Sequence, residues 1–250
     1  MLRVKRFVVL ILFVVCVSTG FSFWALGPSG LETGGALPAP PRAAADLEVS
    51  SAGITTAVNV TRNPEAQWLM DAGEQTGIPA RALRAYVAAA ETANDSMPGC
   101  GIGWNTLAAV GFVESAHGTY GGGSLDAAGQ AGGHIVGPSL NGAGFAAIPD
   151  TDGGAVDNDA RWDRAVGPMQ FIPSTWRLAG RDGNGDGTAD PFNIDDAALS
   201  AATYLCANGR DLTTSEGWRK AIYSYNQSDA YISQVRAQAT DYATKTGTRQ

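Results

Sequence analysis

The apolar positions in the body of the chain follow the three- and four-residue spacing of α-helices. Two consecutive segments show this spacing, PEAQWLMDAGEQTG from residue 64 and PARALRAYVAAAETAND from residue 79. Each begins with proline, which suits the first helical position because it has no N–H to leave unsatisfied. Asn63, directly before the first proline, is the predicted N-cap. Four further helices are predicted, at residues 104–114, 195–208, 215–225 and 229–242.

Strand-like alternation of apolar and polar residues is not sustained anywhere in the chain. The body, residues 61–245, is therefore predicted to be mainly α-helical with long loops, and Asn105 is expected to cap the helix at 104–114. The longest loop runs from residue 120 to about 161, with eleven glycines between 121 and 154. A loop of this length is functional or disordered. It keeps apolar residues, so we expect it to fold against the helices and line a cleft; a floppy insertion is the alternative.

The first 60 residues are predicted to lie outside the folded body. Three basic residues, Arg3, Lys5 and Arg6, precede a mostly apolar run at 7–26 that is long enough to cross a bilayer. The basic flank predicts that the N-terminus stays inside, which makes the body extracytoplasmic and membrane-anchored. The alternative is a cleaved signal peptide, with its apolar core at 7–17, and a secreted protein. Residues 27–60, rich in Gly, Pro, Ala, Ser and Thr, are predicted to be a flexible linker.

The charge distribution argues against nucleic acid as a partner. The chain carries a net charge of −7, and its first 60 residues contain four basic and three acidic groups. The rest of the chain therefore carries −8. Affinity for nucleic acid comes mostly from Lys and Arg on phosphates, so any recognition by this acidic body has to be local.

If the body is exported, two of the three cysteines are available to form a disulfide. Cys16 lies in the apolar N-terminal run, which leaves Cys100 and Cys206 as an even pair in an oxidising compartment. A disulfide between them is predicted to stabilise the fold by about 2–4 kcal/mol. Two separate buried thiols are the alternative.

Glu114 is a candidate catalytic residue because of the apolar sequence that precedes it. The run Leu107–Val113 is wholly apolar or glycine and delivers this carboxyl at the end of a predicted helix. Partial desolvation disfavours the anion and raises the pKa. A carboxyl that keeps its proton near neutral pH can act as a general acid. The alternative is a structural glutamate that caps or bridges helices.

His117 follows Glu114 at the spacing of a metal-binding E-x-x-H pair. A complete site of that kind needs a second such pair, and His134 is the only other histidine of the chain. No catalytic metal is therefore predicted, and His117 is expected to form hydrogen bonds within the turn.

The segment DGNGDGTADPFNIDD matches positions 1, 3, 5, 6 and 7 of an EF-hand calcium loop. Position 12 is Asn193 instead of glutamate, but acidic groups follow at Asp195 and Asp196. A longer loop could close with Asp196, so a structural calcium ion is predicted. A pair of Asn/Asp-Gly turns without an ion is the alternative.

Four segments occur in an order that is typical of one enzyme family. They are ESAHG (114–118), GPMQFIPSTW (167–176), the D-x-N-x-D-G loop leading into DDAALSAATYLCANG (195–209), and YSYNQSDAYI (223–232). Together they resemble the lytic murein transglycosylases of the membrane-bound type B-like group, which have a lysozyme-like domain. The resemblance covers roughly residues 100–235. With DTDGGAVDNDARWDRAVGPMQ added, the chain looks like the exported actinobacterial branch.

The resemblance implies a role for each matching residue. Glu114 is the implied sole catalytic acid/base. The implied substrate-binding or positioning residues are Ser115, Gln170, Phe171, Pro173, Tyr225 and Asn226. The calcium loop is a fifteen-residue variant of the EF-hand in this family, and its implied ligands are Asp182, Asn184, Asp186, Thr188 and Asp196. Rings such as Phe171 and Trp176 can stack either on sugars or on the core behind them.

The implied reaction is cleavage of the β-1,4 bond between N-acetylmuramic acid and N-acetylglucosamine of peptidoglycan, without water, to give 1,6-anhydromuramic ends. A single well-placed glutamate suits it, because ordinary glycosidases use two carboxylates. One alternative is a hydrolytic muramidase whose base comes from the long loop, with candidates Asp150, Asp152, Asp157, Asp159 and Asp163. The other alternative is a non-catalytic wall-binding module.

Overall fold

The computed structural model describes residues 64–133, 135–143 and 146–247. The predicted anchor at 1–26, the predicted linker at 27–60 and the predicted cap Asn63 lie outside these ranges and stay predictions. No helix in the described ranges is long and apolar enough to cross a membrane.

The predicted mainly helical architecture is confirmed. In the described part of the chain the helices are α1 (Pro64–Thr76), α2 (Ala80–Ser96), α3 (Trp104–Ser115), α4 (Pro173–Ala179), α5 (Ile194–Cys206), α6 (Ser215–Tyr225) and α7 (Asp229–Thr246). Six of them match predicted helices. Helix α4 was not predicted, because it has only seven residues and begins directly after the Phe-Ile-Pro segment.

Helix α3 lies in the centre of the domain. Its most extensive contacts are with α2 and α7, and α2 also packs along α5. Leu107, Ala108, Ala109 and Val110 are fully buried. A helix that is apolar on every side is buried on every side, which is why this segment becomes the core helix that carries Glu114 at its C-terminal end.

Asn105 is not the cap of α3, so that prediction is wrong. Gly103 is the N-cap residue and forms no side-chain capping bond. Asn105 is buried inside the first turn, where its Nδ2 donates to the carbonyl of Ala239 in α7 at 3.0 Å. The amide joins two helices because α3 begins inside the protein, where water cannot satisfy a polar side chain.

The long loop folds against the helices, as expected for its described residues. It contains β1 (Val136–Ser139), which pairs antiparallel with β2 (Arg164–Val166) just after the loop. These strands are too short for a visible alternation, and a register shift interrupts their pairing. Backbone bonds from Ala131 N to Phe192 O and from Ile194 N to Gly129 O attach the loop to the start of α5, at 3.0 and 2.8 Å.

The predicted disulfide is confirmed. Cys100 and Cys206 are bonded, with their Cα atoms 5.4 Å apart. The bond joins the connection between α2 and α3 to the C-terminal end of α5. Both cysteines are buried within the main hydrophobic core, so the cross-link holds together the helices that surround α3.

Candidate active site

Glu114 lies in the last turn of α3 with its carboxyl only partly exposed. Its Oε1 accepts a hydrogen bond of 2.6 Å from the hydroxyl of Tyr231. Tyr231 lies in the first turn of α7 and is almost completely buried. The carboxyl is therefore held in one orientation by a neutral donor, and no cation among the described residues is bonded to it.

The surroundings of Glu114 favour its protonated form. Burial raises the pKa of its carboxyl from 4.5 to about 8, and the hydrogen bond from Tyr231 acts in the opposite direction by stabilising the anion. Desolvation dominates because the apolar run before Glu114 brings the carboxyl into the edge of the core. The group can thus carry a proton at neutral pH, as the sequence predicted.

The segment Gly167–Gln170 forms a tight loop beside Glu114. Val166 and Phe171 close it with two backbone hydrogen bonds of 2.8 and 3.0 Å. Gly167 and Gln170 both have positive φ, at 74° and 49°. The Nε2 of Gln170 donates to the carbonyl of Gly167 at 2.9 Å, which fixes the amide side chain within the loop.

Two side chains clamp this loop to the helices. Ser115 Oγ donates to the carbonyl of Pro168 at 2.6 Å, and the hydroxyl of Tyr225 donates to the carbonyl of Met169 at 2.8 Å. Ser115 directly follows Glu114, and Tyr225 ends α6. The structure thus brings together three of the segments singled out in the sequence, 114–118, 167–176 and 223–232.

Several residues with a predicted substrate-binding or positioning role are buried, and that role stays a prediction. Phe171 and Tyr225 are completely buried, and Ser115 and Pro173 are also buried. The Phe171 ring packs edge-on against Trp176 and Tyr225, with centroids 5.3 and 5.9 Å apart. These rings face the core because the segment that carries Phe171 packs against the buried side of α6, where Tyr225 lies. They support the loop from behind and expose no surface on which a sugar could stack.

Asn226 is the site residue with an unused hydrogen-bonding group. It lies between α6 and α7, is 4% exposed, and its Nδ2 has no hydrogen-bond partner among the described residues. A buried donor without a partner costs free energy. An acceptor supplied by a bound molecule would remove that cost; the predicted substrate-binding role of Asn226 stays a prediction.

Tyr231 was not assigned a role from the sequence. It belongs to the segment YSYNQSDAYI, but the Glu114–Tyr231 contact spans 117 positions along the chain. No spacing rule connects residues so far apart. The only signal was the presence of a tyrosine soon after the Tyr225-Asn226 pair.

His117 is a hydrogen-bonding residue, as predicted. Its Nδ1 lies 3.2 Å from the hydroxyl of Tyr86 in α2, and its Nε2 lies 2.9 Å from the hydroxyl of Tyr242 in α7. Burial lowers the pKa of His117 to about 4, so the ring is neutral at physiological pH. Both nitrogens are engaged by tyrosine hydroxyls, which leaves neither for a metal ion.

The predicted calcium loop closes through Asp196. This carboxylate is buried and accepts the backbone N–H groups of Gly183, Asn184 and Asp190 at 2.7, 3.2 and 2.8 Å. Asp182 accepts two backbone N–H groups within the exposed part of the loop. The oxygen donors suit a calcium ion, although the carboxylates of this loop do not gather as closely as those of another group.

That other acidic group lies in the long loop. Oxygen atoms of Asp150, Asp152 and Asp163 lie within 4.8 Å of one another. They also bind their own loop: Asp150 and Asp152 accept backbone N–H groups, and Asp163 accepts both the N–H and the hydroxyl of Thr151. These carboxylates organise the loop, as do those of Asp157 and Asp159.

Residues 151–218 match the protein-family model described as "Transglycosylase SLT domain". The matched residues include the Gly167–Gln170 loop and the predicted calcium loop, and the match supports a peptidoglycan lytic transglycosylase. Glu114 and Tyr231 lie outside the matched residues. The assignments to the membrane-bound type B-like group and to the actinobacterial branch stay predictions.

Two solved structures are similar to this chain. One is the Escherichia coli lytic transglycosylase Slt35 in complex with bulgecin A, at 14% identity. The other is the same Escherichia coli enzyme in complex with calcium, at 15% identity. Each comparison has a TM-score of 0.41 and covers 71% of this chain and 78% of the other chain. A comparison with curated proteins gave no match.

Proposed function

We propose that Glu114 is the single general acid and base of a lytic transglycosylase that cleaves the β-1,4 bond between N-acetylmuramic acid and N-acetylglucosamine. One observation carries this proposal: a carboxyl with a pKa near 8 stands at the end of the core helix, bonded to Tyr231. The aspartates considered for a second carboxylate role are instead used by the backbone of their own loop.

In the first step, protonated Glu114 donates its proton to the glycosidic oxygen. The bond between C1 of the muramic sugar and that oxygen breaks, and the electron pair leaves with the oxygen. An oxocarbenium-like centre remains at C1. The carboxylate of Glu114 then removes the proton of the C6 hydroxyl, and O6 bonds to C1. The product is a 1,6-anhydro sugar, no water is consumed, and Glu114 regains its proton.

The attack within one sugar explains why a single carboxyl suffices. Nucleophile and electrophile belong to the same ring, so they meet without a second molecule having to be positioned. Tyr231 holds Oε1 of Glu114, which leaves Oε2 to exchange the proton. The amides of Gln170 and Asn226 are the proposed donors and acceptors for the N-acetyl and hydroxyl groups of the substrate.

The proposal is tested by digesting purified peptidoglycan with the full chain, followed by mass spectrometry of the released muropeptides. Anhydromuropeptides are the expected product. Products heavier by one water, with reducing ends, would overturn the proposal in favour of a hydrolytic muramidase. If the protein binds peptidoglycan but releases nothing, it is a wall-binding module.

The rate is expected to have a descending limb on the alkaline side. Glu114 must carry a proton for the first step, and its pKa is about 8, so kcat/KM should be constant below that pH and fall as pH rises through it. Tyr231→Phe removes the donor that stabilises the anion. The limb should then move to higher pH. The measurement is kcat/KM against pH for both proteins.

Tyr204→Phe is the matched control for this experiment. The Tyr204 hydroxyl donates to the carbonyl of Ser224 at 2.9 Å, so its loss also removes one tyrosine hydroxyl near the site but leaves Glu114 untouched. The alkaline limb of this control should coincide with that of the unchanged protein. A limb that moves equally in both variants, or moves to lower pH in Tyr231→Phe, contradicts the assignment.

We further propose that the loop Asp182–Asp196 holds a structural calcium ion, with Asp182, Asn184, Asp186, Thr188 and Asp196 as ligands. The donor chemistry supports this, and so does the position of the loop. Pro191, near the end of this loop, lies directly against Gly167 of the active-site loop. The two are so close that a Cβ atom on Gly167 would collide with the carbonyl oxygen of Pro191. An ion that stiffens this segment would therefore stabilise the wall that carries Gln170.

Calcium is expected to raise the melting temperature of the protein. A ligand at one hundred times its Kd stabilises the folded state by about 2.7 kcal/mol. Asp186→Asn should abolish most of this shift, whereas Asp152→Asn, in the other acidic group, should keep it. Thermal unfolding with calcium or with a chelator measures both. The reverse pattern would assign the ion to Asp150, Asp152 and Asp163, and no shift in any protein would contradict the proposal.

We also propose that residues 1–26 anchor the enzyme to the outer face of the cytoplasmic membrane. This follows from the apolar run and its basic flank. Peptidoglycan, the substrate implied by the SLT domain, lies outside that membrane. Recovery of the protein in the soluble extracellular fraction, shortened at its N-terminus, would instead favour a cleaved signal peptide.

A further inference from the structure

The buried imidazole of His117 lies three residues after Glu114, in the turn that ends α3. Three aromatic rings surround it: Tyr86, Phe112 and Tyr242, with centroids 5.7, 5.7 and 6.1 Å away. Its two nitrogens contact the hydroxyls of Tyr86 and Tyr242. This side chain therefore attaches the end of α3 to both α2 and α7. The reaction proposed above gives it no chemical role.

The backbone at this turn is unusual. Ala116 and His117 have φ angles of 49° and 62°, in the left-handed region that favours glycine. Such a conformation persists in other residues only when the surroundings enforce it. Backbone bonds from Ala116 N to Phe112 O and from His117 N to Gly111 O, both 2.9 Å, close the turn. The hydroxyls of Tyr86 and Tyr242 hold the His117 side chain on this turn.

The position of Tyr86 explains why α3 contains a glycine near its end. A Cβ atom on Gly111 would collide with the Tyr86 hydroxyl. Because Gly111 has no side chain, the hydroxyl can lie directly against the helix and reach His117. The contact thus depends on three elements of sequence: Gly111 in α3, Tyr86 in α2 and His117 in the turn.

The turn also determines the position of the loop on the other side of the site. The N–H of Gly118 donates to Ser115 Oγ at 2.7 Å, and Ser115 Oγ donates to the carbonyl of Pro168 at 2.6 Å. Pro168 lies two residues before Gln170. The peptide bond between His117 and Gly118 and these two hydrogen bonds therefore connect His117, through Ser115, to the loop that carries Gln170.

We propose that His117 is a positioning residue that sets the separation between Glu114 and Gln170. It fixes the left-handed turn, the turn orients Ser115, and Ser115 fixes the Gly167–Gln170 loop relative to the end of α3. The inference rests on the proposed function for its consequence in catalysis. The structural part, control of the Gly118–Ser115–Pro168 connection by His117, can be measured independently.

The test compares His117→Ala with His117→Gln in the full chain. Alanine removes both side-chain bonds, and glutamine keeps one donor and one acceptor. Misplacement of reacting groups by about 1 Å costs roughly 100-fold in rate, so kcat should fall by about that factor in His117→Ala, with a smaller change in KM. His117→Gln should recover at least part of the loss. Hydrogen exchange at the Gly118 amide should accelerate in His117→Ala more than exchange in α2.

Thr106→Val is the control for simple loss of a buried hydrogen bond. The Trp218 indole donates to Thr106 Oγ1 at 3.1 Å in the core, away from the turn. This variant should lower the melting temperature and leave kcat unchanged. If His117→Ala does not fold, Tyr242→Phe, which removes one hydroxyl from the same contact, replaces it with the same expected pattern.

Three results would overturn the inference: an unchanged kcat in folded His117→Ala, an unchanged Gly118 exchange rate in that variant, or a loss of kcat that follows melting temperature alike in all variants. If the unchanged protein releases no anhydromuropeptides, the proposed function fails. The Gly118 exchange measurement then still decides whether His117 controls the turn.

Discussion

Glu114→Gln is expected to lower kcat/KM for peptidoglycan cleavage by about 10⁴-fold, the upper end of the range for general acid–base catalysis. The effect should be this large because one carboxyl performs both proton transfers, and an amide can perform neither. Glutamine has nearly the same size and keeps an acceptor for Tyr231, so the fold should survive. Release of anhydromuropeptides from purified peptidoglycan, followed by mass spectrometry, is the measurement.

Glu74→Gln is the matched control, since it makes the same substitution at an exposed position of α1. It should retain full activity. A Glu114→Gln protein that still releases anhydromuropeptides at a comparable rate would remove Glu114 from the chemistry. Loss of activity in both variants would show that the effect is not specific to the site.

Glu114→Gln should also change how the stability of the protein depends on pH. The folded-state pKa of Glu114 is raised from 4.5 to about 8, so between these values the folded protein binds a proton that the unfolded chain has released. This stabilising contribution is present below pH 4.5 and is lost as pH rises to about 8. Glu114→Gln should therefore be at least as stable as the unchanged protein above pH 8.

The second large effect is expected from the disulfide. Replacing Cys100 and Cys206 together by serine should lower the free energy of unfolding by about 2–5 kcal/mol, the usual cost of losing a native disulfide. The bond closes a long loop, with a sequence separation of 106, and thereby restricts the unfolded chain. Two serines in the buried core add the cost of burying hydroxyls. Urea unfolding at equilibrium measures the difference.

Reductant provides the internal control for this prediction. It should lower the urea midpoint of the unchanged protein toward that of the double serine variant and should leave the variant unaffected. Equal midpoints for the oxidised protein and the variant would mean that the bond contributes nothing to stability. A shift produced by reductant in the variant would point to a different cause.

Much of this protein could be read from local sequence. The helical spacing predicted six of the described helices because each needs only one apolar face to repeat every three or four residues. The wholly apolar run before Glu114 predicted a buried helix with a carboxyl at its end, and the raised pKa follows from that placement. The cysteine pair was predicted from its compartment and its even number.

The remaining features depend on contacts between distant parts of the chain. Asn105 looks like a cap but bonds to α7, because α3 begins inside the core. The aromatic residues of the segment 161–176 could face sugar or core, and packing against α6 turns Phe171 inward. Short elements such as α4, β1 and β2 have too few residues to show a period. Their formation depends on the surfaces that they pack against.

The active site shows the same division. The sequence was enough to single out Glu114, because the seven apolar or glycine residues before it predict that its carboxyl is partly buried. The partners of the site are not local: Tyr231 reaches Glu114 across 117 positions, and Tyr242 reaches His117 across 125. Periodicity tells which face of a helix is buried, but not which residue of another helix will meet it. That pairing arises only when α3 and α7 pack side by side and each buried polar group has to find a partner.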